Sequence, residues 1–274
     1  MVTSILMTVH DREPEVLLAT LRSLWRCGLS DAEVVVVDDR SAMDYSWVRA
    51  YMKPRFRETK WVATGDYEGW RKDGYGNPAF AFNRGLELCT GDRVVAMSSD
   101  VIVTPRLIKF MEKYHDETCL WTPKVLDMDS GNEYCGAGRV FPMPWFLAAP
   151  TSACLEVGGW DENYLGGLCF EDNDFVGRVA LKLGTLRADW DVYGYHQSHI
   201  QPAYDINDPE IVEANQRNRD YTKSKWGGIP FDGEFTPFDV ARRPDATGCQ
   251  KFVFRGNNLE ELVAKTNGLK HARV

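Results

Sequence analysis

Along the first part of the chain the apolar positions alternate between a strand-like and a helix-like spacing. "SILMTV" (4–9) is a short apolar run broken off by "HDREPE". From Pro14 the apolar positions Leu17, Leu18, Leu21, Leu24 and Trp25 recur at helical spacing, with Gly28 as a stop. "AEVVVVDD" (32–39) is apolar without interruption until it ends in acid, which predicts a strand covered on both faces. Next are a helix over "SWVRAYM" (46–52), a strand over "KWVAT" (60–64) and a polar, glycine-rich loop over 65–78. Then come a helix over 78–89, a strand over "RVVAMSSD" (93–100) and a helix over "TPRLIKFMEKY" (104–114). This alternation predicts an α/β fold with a mainly parallel central sheet flanked by helices.

Beyond 120 the pattern loosens into short strand candidates interrupted by Pro and Gly. One more helix stands out, with Phe175, Val176, Val179, Ala180 and Leu183 on an apolar face and Gly184 closing it. There Arg178 and Lys182 are expected to point away from the core, and one of Asp172, Asn173 or Asp174 to cap the start. After about 229 the chain offers turns and one short helix candidate, "NLEELVAK".

Composition narrows the class. The 274 residues, 44% hydrophobic, suffice for one large domain or a domain with a tail. No apolar run approaches the roughly 18 residues of a membrane-spanning helix, and the start lacks a signal-peptide pattern. Seven cysteines without a CxxC pair point to neither a disulfide framework nor a zinc knuckle, so a cytoplasmic setting is expected. A net charge of −8 disfavours a broad nucleic-acid surface.

Open parallel sheets bind ligands beyond the carboxyl ends of their strands. Thr8–His10, Asp38–Asp39 and Ser98–Asp100 all fall at such ends. Asp39 suits either a turn or a hydrogen bond to a nucleobase. Asp100 suits either a turn or a Mg²⁺ or Mn²⁺ ion whose shell substrate phosphates complete. "GGLCFEDNDFVGRV" (166–179) crowds Glu171, Asp172 and Asp174 together, and "YGYHQSH" (193–199) supplies His196 and His199 as structural or metal-binding histidines. No phosphate-binding GxxxxGK[ST] loop, GxSxG elbow or GxGxxG turn is present.

Taken in order over roughly residues 3–227, these segments resemble the GT-A fold glycosyltransferases of the family-2-like group. "SILMTVHDR" is similar to that family's opening strand, "VVVVDDRS" to its nucleotide-binding segment and "AFNRGLELCTGDRVVAMSSD" to its segment ending in D-x-D. "VGGWDENYLGGLCFEDNDFVGRVALKLG" resembles its acceptor-side motif, shared with galactosyltransferase-like C-terminal regions. "YHQSH" and "NRDYTKSKWGG" are similar to the family's histidine and "KWG" segments.

The resemblance implies a GT-A (nucleotide-diphospho-sugar transferase) domain over 1–228, with a nucleotide-sugar half at 1–115 and an acceptor half at 116–228. Residues 229–274 form a C-terminal extension, serving as an acceptor lid or a subunit contact. It implies that Thr8, His10, Asp39, Asn83, Arg84, Ser98 and Ser99 line the donor site. Asp100 and His196 would hold Mn²⁺ or Mg²⁺, with Ser98 standing where the first acid of D-x-D is expected and Phe82 where many members carry Arg. Asp172 matches the catalytic base, Glu171 a residue positioning the acceptor or the loop, and Asp174 a helix cap. Trp145 and Trp160 are candidates for stacking on an acceptor sugar or for the core. The activity implied is inverting transfer of a sugar from a nucleotide-diphospho-sugar, UDP before GDP, to a hydroxyl of a glycan or other acceptor. A non-catalytic sugar-nucleotide-binding module and a sugar nucleotidyltransferase are the alternative readings.

Overall fold

Strand β1 (Thr3–Val9) is followed by helix α1 (Pro14–Arg26), strand β2 (Glu33–Asp38), helix α2 (Ser46–Met52) and strand β3 (Glu58–Ala63). Helix α3 (Ala79–Leu86), strands β4 (Arg93–Met97) and β5 (Val101–Val103) and helix α4 (Pro105–Lys113) come next. They are followed by strands β6 (Leu120–Asp127), β7 (Glu133–Cys135) and β8 (Phe146–Pro150), and helices α5 (Thr151–Glu156) and α6 (Glu171–Leu183). Strand β9 (Thr185–His196), helix α7 (Pro209–Trp226), strands β10 (Ala241–Pro244) and β11 (Gln250–Val253) and helix α8 (Leu259–Ala264) follow. This computed structural model describes residues 2–65, 77–113, 118–135, 146–164, 169–199, 207–230, 241–244, 250–253 and 258–269.

The sheet runs in the order β10-β11-β9-β6-β8-β4-β1-β2-β3, with β5 on β9 and β7 on β6. β4, β1, β2 and β3 are parallel, as the alternating pattern predicts. Beyond β4 the sheet is mixed: β8 is antiparallel to both β4 and β6, while β6 and β9 are parallel. The turn at 128–131 joins β6 to β7 with Gly131 at φ 67°, and a connection this short can only pair strands antiparallel.

Both faces of the parallel part are covered. Ile5, Met7, Val34 and Val36 pack under α1, α2 and α4 with Leu17, Leu21, Leu24, Val48 and Leu107. Their sequence neighbours Leu6, Val35 and Val37 point to the other face, against Ala79, Leu86, Phe175, Val176 and Val179. This two-sided burial explains the uninterrupted apolar run of β2. Helix α3 lies close on the sheet because Gly85 has no side chain: a Cβ there would meet Leu6 Cδ1 at 2.1 Å.

The strand expected over 93–100 breaks at Ser98–Asp100 and resumes as β5, which pairs with β9 rather than with β1. The extension after 229 is built into the domain. Strands β10 and β11 continue the sheet from β9, and Leu262 of α8 is in the core. The chain beyond α8 docks on Gly158–Glu162 through Leu269 N–H to Gly158 O (2.8 Å) and Glu162 N–H to Asn267 O (2.6 Å). Gly268 permits that approach, since a Cβ would sit 2.1 Å from Gly158 O. Among the described residues no helix is long and apolar enough to cross a membrane.

Candidate active site

Strand directions assemble the first part of the site. β8 is antiparallel to β4 and to β6, so β6 runs with β4, and β9 runs with β6. The carboxyl ends of β1, β2, β4, β6 and β9 therefore share one sheet edge, where His10, Asp39, Asp100, Asp127 and His196 lie. The β5–β9 pairing sets Val101 opposite His196, and Gln197 N–H donates to Asp100 O at 2.9 Å.

Asp100, His196 and His199 each aim a ligand atom into one space, all within 4.8 Å of one another. Asp100 Oδ2 lies 3.2 Å from His199 Nε2, 3.8 Å from His196 Nε2 and 3.1 Å from Arg12 Nη2. Ser98 Oγ–H donates to Asp100 Oδ1 at 2.6 Å, so the serine that replaces an expected acid orients the remaining one. Burial works to raise the Asp100 carboxyl, but His199, Arg12, Ser98 and His196 outweigh it and hold its pKa below the ordinary value. Burial lowers the pKa of His196, which favours the neutral imidazole that ligates metals. Asp127 Oδ2 stands 3.6 Å from His196 Nδ1, and its carboxyl is held down by hydrogen bonds from Ser130 N–H and Oγ–H, so it stays ionised where it can orient the ring.

One carboxylate oxygen and two imidazole nitrogens fit a divalent transition metal. They suit Mn²⁺ better than Mg²⁺, which prefers a near-octahedral shell of oxygens.

On the neighbouring strand ends, His10 Nδ1 lies 2.6 Å from Asp39 O, and since a carbonyl only accepts, Nδ1 carries the proton. Asp39 Oδ1 accepts from Thr64 Oγ–H at 2.7 Å, which turns the carboxylate toward the rim of the sheet. Thr8 is half-buried one turn of the pleat earlier, in register with Val37. Ser99 is buried and contributes its carbonyl to Thr20 Oγ–H (2.9 Å), so it anchors the strand break to α1. Gln197 completes that anchor by donating to Thr20 Oγ1 (2.9 Å) and Val16 O (3.1 Å).

The acids at the start of α6 separate into distinct tasks. The helix begins at Glu171, and its N-cap is Phe170 in the left-handed region (φ 75°), with no side-chain cap. Asp174 is therefore not the expected cap. It is fully buried and accepts from Arg178 Nε (2.9 Å) and Nη2 (2.6 Å) and from Trp226 Nε1 (2.8 Å), with Lys225 Nζ at 2.8 Å.

Arg178, expected on the outer face, is likewise fully buried and also donates to Val157 O. Lys225 ties Asp174 to Asp161 (2.6 Å) and to Thr266 Oγ1 (2.9 Å), linking α6, α7 and the C-terminal segment. These pairs have lost their water, so losing one partner leaves a buried charge uncompensated. Lys225→Met is expected to lower unfolding free energy by about 3–5 kcal/mol in urea denaturation.

Glu171 is buried and accepts from Asn77 Nδ2–H at 2.8 Å; burial raises its pKa. Asp172, half-buried beside it, is pushed well above the ordinary value by burial and by the charge of Glu171. The Trp160 indole only partly offsets this.

Three sequence candidates have other partners. Asn83 is buried and bridges α3 to Trp160 and Glu162, donating to Trp160 O (2.9 Å) and Glu162 Oε1 (2.8 Å) and accepting from Trp160 N–H (2.8 Å). Both ends of its amide are thus engaged within the protein. Arg84 points to solvent, 53% exposed, and pairs with Glu87 at 3.1 Å. Trp160 is a core residue, stacked between Phe82 (4.6 Å between centroids) and Phe175 (3.7 Å), which also accounts for an aromatic ring at position 82. Trp145 lies outside the described residues. Arg12 closes the segment "SILMTVHDR" with no role assigned to it there, Thr20 and Asp127 carry no motif, and only the strand-end rule pointed to their neighbourhood.

Residues 4–135 match the family model described as Glycosyl transferase family 2. Among solved structures, S. aureus TarS 1–349 in complex with UDP-GlcNAc matches with a TM-score of 0.58 at 15% identity, covering 85% of this chain and 75% of that one. The same fragment in complex with UDP gives 0.57 at 15% identity, covering 85% and 74%. S. aureus TarS gives 0.57 at 16% identity over 72% of this chain, and the match spans only 37% of that protein's chain. Comparison with curated proteins gives no match. The fold is that of the GT-A glycosyltransferases. Within that fold, residues 4–135 of this chain are similar to the family-2 group.

Proposed function

We propose that the protein transfers a sugar from a nucleotide-diphospho-sugar to an acceptor hydroxyl, using a divalent metal and inverting the anomeric centre. The observation that carries this reading is the convergence of Asp100, His196 and His199 on the sheet edge that also presents Asp39 and His10. Asp39 and Thr8 are assigned to the nucleoside and Asp100, His196 and His199 to the metal. The UDP and UDP-GlcNAc bound by TarS support taking uracil ahead of guanine as the base. When bound, the divalent ion supplies positive charge that offsets the leaving diphosphate.

The remaining chemistry belongs to the α6 start. The acceptor oxygen attacks the anomeric carbon, the bond from that carbon to the diphosphate oxygen breaks, and the hydroxyl proton passes to Asp172. A raised pKa suits that task, because a stronger base takes the proton more readily at neutral pH. Glu171, held by Asn77, ties the start of α6 to the residues before α3. One base on the face opposite the leaving group gives inversion. A cytoplasmic setting accords with the free thiols of Cys27, Cys89, Cys154 and Cys169.

Thermal melting tests the donor assignment. UDP with Mn²⁺ is expected to stabilise the protein by about 2.7 kcal/mol when UDP is at about 100 times its Kd, well beyond the effect of either alone. GDP should do less. A melting curve unmoved by any nucleoside diphosphate, with or without Mn²⁺, rejects the reading.

A further inference from the structure

Arg12 shares with the candidate metal ligands the one oxygen they all face. Its Nη2 is 3.1 Å from Asp100 Oδ2, the same atom that His199 and His196 approach at 3.2 and 3.8 Å. The backbone holds it there. Asp11 adopts φ 46° and is pinned on both sides, its N–H donating to Ser41 Oγ (3.0 Å) and its Oδ1 accepting from Ala42 N–H (2.6 Å). The buried Tyr45 hydroxyl then donates to Arg12 O at 2.6 Å. The guanidinium is mostly buried, yet its Nε–H has no hydrogen-bond partner. A buried donor left without a partner is costly, and an anion is the group that would satisfy it.

We propose that Arg12 makes metal binding depend on the diphosphate, an inference that rests on the metal site assigned above. Without donor, Arg12 neutralises Asp100 and repels a second cation from the same carboxylate. When a diphosphate enters, its oxygens accept from the Arg12 guanidinium, Nε–H included, and Asp100 Oδ2 becomes available to the metal. Metal and diphosphate then bind cooperatively, and by linkage each raises the affinity of the other by one factor. The recognised chemistry is the diphosphate, whether in a sugar nucleotide, UDP or free pyrophosphate.

The test is a Mn²⁺ titration followed by the electron paramagnetic resonance of the free ion. It compares the wild type with Arg12→Gln and Arg12→Lys, each alone, with pyrophosphate and with UDP. The wild type is expected to bind Mn²⁺ at least about 5-fold more tightly with either anion than without. In Arg12→Gln the anion-free affinity should rise by about that factor and the enhancement should largely disappear. Arg12→Lys, which keeps the charge, should retain much of the enhancement and guards against a Gln variant that fails to fold. Arg12→Gln binding Mn²⁺ no more tightly than wild type, with the enhancement intact, overturns this inference alone. A wild type that binds no Mn²⁺ under any of these conditions overturns the metal site and this inference together.

Discussion

Asp172→Asn is expected to lower kcat by about 10²–10⁴-fold while leaving Mn²⁺-dependent nucleotide binding at the wild-type level. The substitution keeps the shape of the side chain and removes its capacity to take a proton. The two neighbouring acids provide the contrast. Asp174 is locked by Arg178, Lys225 and Trp226 and kept below its ordinary pKa; burial opposes this, but the two cations outweigh it. Asp172 meets burial and the Glu171 charge instead, both of which push it up.

The raised pKa of Asp172 has two consequences for pH dependence. The acidic limb of the wild-type kcat profile should lie above the ordinary carboxylate range of about 3.9. A carboxyl whose folded pKa is raised also holds its proton more tightly folded than unfolded. Wild-type stability therefore falls as pH rises from the unfolded value through the raised one. Asp172→Asn should lose that slope and be more stable than wild type at pH 7. An Asp172→Asn enzyme with undiminished turnover removes Asp172 from the mechanism.

Asp100→Ala should abolish the Mn²⁺-dependent part of nucleotide binding, with Mn²⁺ affinity falling by at least about 100-fold, the upper range for loss of an outer-shell partner. Asp100 is the only carboxylate in the three-residue group, and its Oδ2 is the atom about which both histidines are arranged. Alanine also deprives Arg12 and Ser98 of their acceptor. Asp100→Asn is the companion variant, since its amide oxygen still accepts from Ser98 while the charge is gone. Both should bind nucleotide without Mn²⁺ at least as tightly as wild type, because Asp39, His10 and Thr64 hold one another independently of Asp100 and Arg12 no longer pairs with its charge. Calorimetric titration of UDP, with and without Mn²⁺, reads the difference.

The parts of the fold that two-sided burial writes into the chain were legible: the runs of β1, β2 and β4, the helices between them, and hence Asp39 and Asp100 at strand ends. Helix α7 was not, for a physical reason. Its buried face consists of Ile211, Ala214, Asn218, Thr222, Lys225 and Trp226, half of them polar groups whose partners lie far away in the chain, so hydrophobic spacing carries little signal. Arg178 and Asp174 were misplaced by the same cause. A cation and an acid four residues apart look like a solvated pair until Lys225, Trp226 and the Val157 carbonyl close over them. The division of labour between Asp172 and Asp174 depends on α7 and was beyond local pattern. Arg12 was hidden in a polar turn, and its significance comes only from the β5–β9 pairing that brings both histidines to Asp100.

Sugar transfer itself is read by nucleoside diphosphate release from a panel of UDP- and GDP-sugars, with and without Mn²⁺ and with simple glycan acceptors. Mn²⁺-dependent release of UDP from at least one UDP-sugar is expected, lost in Asp100→Ala and strongly reduced in Asp172→Asn. Folded wild-type protein that binds UDP and Mn²⁺ yet releases nothing from any donor would contradict glycosyl transfer and make the chain a sugar-nucleotide-binding module.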